Sequence, residues 1–127
     1  MKLASNVKPL PKFFSRFYFK GLTLVPFKRI YLRKEIYDDL KSESPSLQSI
    51  SVLKHEEVHL KRADLLRIFK WLSPGFRLEE ELIAYKEQFK FLKMNNSTYD
   101  LDNVAKHLPR IKYQEAKKLL NKIWRES

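Results

Sequence analysis

The chain has no cysteine, only two glycines and no long apolar run. Without cysteine there is no disulfide frame and no thiolate metal site, so a transition metal could be held only by His, Asp or Glu. That fits a reducing compartment. No segment approaches the roughly 20 apolar residues that a membrane span needs. Near the start, Lys8, Pro9, Pro11, Lys12, Arg16 and Lys20 cut the apolar residues before a signal-peptide core can form. A soluble, cytoplasmic protein is expected.

What the chain does have is apolar mass and positive charge. Its 127 residues, 43% hydrophobic and 13% aromatic, suffice for one compact core, so residues 1–127 are read as one domain. The formal charge of +11 would attract phosphate or an acidic surface. The lysines, however, run from Lys2 to Lys122 over nearly every segment, as on a solvated surface, so any nucleic-acid contact is expected to be non-specific. "PKFFSRFYFKG" interleaves basic and aromatic residues and reads either as a binding stretch or as a core cover whose lysines reach outward to water.

Gly21 and Gly75 fall at apparent boundaries. After Gly21 the β-branched and aromatic residues predict two short strands, about Leu22 to Val25 and Arg29 to Arg33, broken at Pro26 as suits an edge position. Ser44 or Ser46 can cap a helix from about Leu47 to Leu72, with Val58, Leu65, Phe69 and Leu72 as its buried stripe, ending at Ser73-Pro74-Gly75. A second helix, roughly Arg77 to Met94, carries Leu78, Leu82, Tyr85, Phe89 and Leu92 on one face. Two shorter helices separated near Pro109 fill Tyr99 to Arg125. The fold class is α+β, mostly helical, with a small N-terminal sheet.

Inside the first long helix stands His55-Glu56-Glu57-Val58-His59, an H-E-x-x-H pattern. Histidines at i and i+4 lie one above the other, so their ring nitrogens can converge on one ion. Glu56 projects from the side of that face, where it can reach a metal-bound water without ligating the metal. Shuffling this composition would produce the pattern only about 0.005 times per chain.

A catalytic zinc takes three protein ligands plus water. The extended pattern with a third histidine is absent, because Arg62 and Leu65 stand at its Gly and His positions. His107 could ligate only through a fold-back. Glu79, Glu80 and Glu81 open the next helix, and a helical hairpin would bring them beside the histidines. They point about 100° apart, so only one can face the metal, and Glu81 flanks the side marked by Leu78, Leu82 and Tyr85.

"HEEVH" followed by "EEELIAY" resembles the gluzincins, metallopeptidases whose zinc is held by the two motif histidines and a glutamate on a following helix. Several of them carry that glutamate in an E-x-x-A-D context; here Glu81 to Ala84 match, and Tyr85 stands where the family has Asp. The histidine-orienting task of that Asp would then pass to the Tyr85 hydroxyl or to another group such as Asp64. The resemblance spans about Ile30 to Phe91, and in length and in "GLTLVPF" the chain is similar to small, stripped-down peptidase-like proteins of bacteria and their phages. It implies a minimal zincin-like fold and one zinc per chain held by His55, His59 and Glu81. It further implies peptide-bond hydrolysis through a zinc-bound water activated by Glu56. A cleft-edge strand, Arg29 to Arg33, would offer Ile30, Tyr31 and Leu32 to an extended peptide or protein substrate. Tyr85, His107, Arg110 and Tyr113 are candidate transition-state stabilisers. The alternative is a basic protein that binds nucleic acid or an acidic surface, including an inactive module of zincin fold.

Overall fold

The computed structural model describes residues 1–11, 21–24, 29–62, 73–108 and 111–127. Among these, three strands and five helices follow in the order β1 (Val7–Pro9), β2 (Gly21–Leu24), β3 (Arg29–Leu32), α1 (Lys34–Lys41), α2 (Leu47–Lys61), α3 (Pro74–Met94), α4 (Leu101–His107) and α5 (Tyr113–Glu126). The mostly helical α+β architecture is therefore as expected. No helix among the described residues is long and apolar enough to cross a membrane.

The sheet has the order β1-β3-β2. β1 pairs parallel with β3, Val7 opposite Ile30, and β2 pairs antiparallel with it, Gly21 opposite Leu32 and Thr23 opposite Ile30. Side chains alternate along β3: Ile30 and Leu32 are buried, while Arg29 is exposed and Tyr31 half-buried. Pro9, which has no N–H to donate, sits in an outer strand of the described sheet, where that loss is tolerated.

This order overturns the expectation that Ile30, Tyr31 and Leu32 line a cleft. β3 is the central strand, with its backbone paired on both sides, so it has no edge to offer a peptide. Its inward residues belong to a core of Val7, Ile30, Leu32, Leu40, Val52 and Leu53 that joins the sheet to α1 and α2.

Helix α1 begins directly after the expected strand, in residues where the sequence predicted no element, and Arg33 stands at its N-cap, where Ser, Thr, Asp or Asn are usual. Its end is tied to the start of α2. The Asp39 carboxylate accepts from the Ser46 backbone N–H (3.1 Å) and hydroxyl (2.7 Å), while Ser46 caps α2 by accepting from the Ser49 N–H. Helix α2 runs to Lys61 with Arg62 at its C-cap; Leu65, Phe69 and Leu72 of the expected stripe lie outside the described residues.

Helix α3 begins at Pro74, three residues before the expected Arg77, because proline is tolerated in a first turn behind Ser73 as N-cap. It ends where expected. Asn96 takes φ 55°, the Asn96 N–H donates to the Lys93 carbonyl, and the Ser97 N–H donates to the Leu92 carbonyl, a Schellman closure. Contacts from Gln48 to Thr98, Ser51 to Gln88, His59 to Glu81 and Arg62 to Glu80 make α3 antiparallel to α2. On its other side α3 meets α4 and α5 in a second core of Phe89, Val104, Ala105, Leu108, Ala116 and Leu120. Leu78, Leu82 and Tyr85 pack against that core, as their spacing predicted.

Candidate metal centre

The seam between α2 and α3 holds the motif. Helical spacing stacks Ser51, His55 and His59 at intervals of four along α2, and Glu81, Tyr85 and Gln88 at offsets of four and seven along α3. The two rows face each other. The Nε2 atoms of His55 and His59 are 3.3 Å apart, and the Glu81 carboxylate spans them, Oε2 at 3.2 Å from His55 Nε2 and Oε1 at 2.7 Å from His59 Nε2. One ligand atom from each of the three residues lies within 4.8 Å of the others, close enough to hold a metal ion. Both histidines are buried and Glu81 is partly so.

Of the three adjacent glutamates only Glu81 enters this cluster. Glu80 is buried and receives two bonds from the Arg62 guanidinium, Nε at 2.7 Å and Nη2 at 3.1 Å, which fastens the first turns of α3 to the end of α2. Glu79 is exposed.

Glu56 lies on the sheet side of α2 and is buried. The Thr23 hydroxyl donates to its Oε2 at 2.7 Å and sits 3.2 Å from its carbonyl oxygen. Strand β2 comes so close that a Cβ on Gly21 would stand 2.8 Å from Glu56 Cγ and 3.0 Å from Oε1, so only glycine fits without a shift. Burial raises the Glu56 carboxyl above its ordinary range, and the nearby histidines only partly oppose this. For Glu81 burial acts the same way, but hydrogen bonds and charge from His55 and His59 outweigh it and hold the carboxyl well below the usual range. Burial would lower His59, yet the bond to Glu81 and its charge prevail and raise it.

Of the candidate transition-state stabilisers, His107 and Tyr113 are not brought to this cluster. His107 is exposed on α4 with Nδ1 2.8 Å from the Asn103 carbonyl oxygen. The Tyr113 hydroxyl donates to Asp102 on the same C-terminal unit. Tyr85 does reach the site, its ring packed edge-on against His55 at 4.3 Å between centroids. Asp64 and Arg110 lie outside the described residues.

Residues not singled out from the sequence complete the surroundings. Gln88, 1% exposed, places Oε1 2.9 Å from His55 Nδ1, the contact expected of Tyr85 or Asp64. Its signal was a polar residue seven positions after Glu81, two turns along the same side of the helix. Thr23 and Gly21 had no comparable signal, because their importance depends on where β2 lies against α2.

No family model, curated protein or solved structure matches the chain.

Proposed function

We propose that the chain is a zinc-dependent peptidase of gluzincin type on a minimal zincin-like fold. The observation that carries this reading is the convergence of His55, His59 and Glu81, with Glu56 buried one residue along α2 and near enough for the charge of all three to act on it. Two imidazole nitrogens and one carboxylate are a donor set that suits zinc and leaves a fourth position for water or substrate. Such an ion would supply Lewis-acid polarisation of a carbonyl and acidify a water molecule.

The remaining work falls to the protein. Glu56, with a carboxyl raised by burial, takes the proton from the attacking water and returns it to the leaving amine nitrogen. Thr23 and Gly21 hold that carboxylate in place, one by a hydrogen bond and the other by leaving it room. Substrate alignment passes from β3 to β2. Among the described residues β2 pairs on one side only and already contacts Glu56, so an extended peptide added to its other side would lie beside the base.

The basic-binder reading has less support. Lys54, Lys61 and Lys90 line a groove on the outer face of α2 and α3, but Glu57 and Glu87 stand among them, so no uninterrupted phosphate track forms in that groove. The deciding experiment is the Glu56→Gln variant assayed on unfolded protein substrates with its zinc content measured. Retained zinc with cleavage lowered by at least about 100-fold supports the proposal. Undiminished cleavage overturns it.

A further inference from the structure

The polar groups behind His55 form a chain whose hydrogen-bond directions can be assigned from one end. The Ser51 hydroxyl has one proton, and it goes to the Gln48 carbonyl at 2.7 Å. Towards Gln88 the hydroxyl therefore accepts, and the group that donates across 3.1 Å is the Gln88 amide nitrogen. That turns the amide oxygen to His55 Nδ1 at 2.9 Å, where it can only accept. Nδ1 must then carry a hydrogen. In the protonated ring Nε2 also carries a hydrogen and donates to the Glu81 carboxylate at 3.2 Å; once the ring is neutral with Nδ1–H kept, the lone pair is left on Nε2, the atom that faces His59 and Glu81.

We propose that Gln88, anchored by Ser51, is a positioning residue that locks His55 in its Nδ1–H tautomer, so that Nε2 stands ready to bind a metal ion. The proposal rests on reading His55 as a ligand. It also gives a reason for an amide here rather than a carboxylate. The seam already buries Glu80 and partly buries Glu81, with Glu56 buried on the sheet side of the same helix as His55, and another ionised group there would have to be desolvated without a cation to match it. A glutamine orients the ring at no cost in charge. Tyr85, stacked edge-on against the same ring, restricts its tilt while the amide sets its rotation.

The test uses nitrogen-15 NMR of the histidine rings in the metal-free full chain, at a pH where His55 is neutral, together with zinc affinity by competition with a chelator. In the parent, His55 is expected as Nδ1–H. Gln88→Leu should release it to the other tautomer or a mixture and weaken zinc binding about 10- to 100-fold. Ser51→Ala should give a smaller loss in the same direction, because the amide can then turn over. Gln88→Glu, which still accepts at Nδ1, should keep the tautomer and bind zinc within a few-fold of the parent; it also serves where Gln88→Leu fails to fold. A parent His55 protonated at Nε2, or a Gln88→Leu variant with tautomer and affinity unchanged, overturns the proposal. Should the parent bind no zinc, the ring spectra still decide the lock, and the peptidase reading falls separately.

Discussion

Helix α3 buries two faces of opposite character. Toward α2 it presents Glu80, Glu81 and Gln88, each hydrogen-bonded to a partner on that helix; toward α4 and α5 it presents Leu78, Leu82, Tyr85 and Phe89 against an apolar core. The apolar face supplies stability in proportion to the surface it removes from water. The polar face gains little net free energy, since its groups give up hydration for the bonds they make. A protein built only to be stable would pack leucine there. One face therefore supplies the stability of the fold, while the other keeps together polar groups that stability alone does not require.

The largest effect expected on stability lies on the apolar face. Phe89→Ala, at a fully buried ring touching Tyr85, Tyr99 and Trp124, should cost about 3–5 kcal/mol in urea unfolding, with the His55–His59–Glu81 cluster intact in whatever remains folded. A loss under about 1 kcal/mol would break the comparison. The polar face should behave in the opposite sense. His59→Leu with Glu81→Leu should leave the metal-free protein as stable as the parent or up to about 4 kcal/mol more stable, while abolishing metal binding.

Gly21 offers a sharper probe of how β2 meets α2. Gly21→Ala should cost about 1–3 kcal/mol through its clash with Glu56, and most of that cost should vanish in the Glu56→Ala background. Additive effects of the two changes would mean that β2 does not press on Glu56. The smallest effect is the pH dependence. In the folded chain His59 and Glu56 bind protons more tightly than their ordinary values of 6.5 and 4.5, so they hold protons that the unfolded chain has released. Stability of the metal-free protein should therefore fall as pH rises through the interval from each ordinary value to its raised one, which for His59 begins near 6.5. Glu81 acts in the other direction, its contribution being lost only as pH falls below the ordinary carboxylate range. With excess zinc the trend across neutral pH should reverse, because the ion competes with those protons. Thermal melts with and without zinc check this.

How much of this was legible depends on whether the signal was local. The H-E-x-x-H letters, the period of Leu78, Leu82, Tyr85 and Phe89, and the position of Glu81 on its helix all follow from neighbours within two turns; α3 stands close to its expected place, whereas α2 begins where expected but ends at Lys61 rather than Leu72. Strand β1 is three residues long, contains Pro9, and exists through a parallel pairing with β3 over twenty residues later, so nothing nearby announces it. The same non-local pairing moved Ile30, Tyr31 and Leu32 from a supposed cleft to the centre of the sheet. Helix α1 was masked by Ile36 and Tyr37, which continue the strand-like run of β3. Gln88 faces His55 across 33 positions, a contact that antiparallel packing of α2 and α3 creates and that neither helix encodes alone.

The central claim is that His55, His59 and Glu81 hold one metal ion. Elemental analysis of protein purified without a histidine tag, comparing the parent with His59→Ala and Glu81→Gln, tests it most directly. The account predicts about one zinc per parent chain, lost in His59→Ala and weakened in Glu81→Gln. A parent that holds no metal even after zinc is supplied would contradict it.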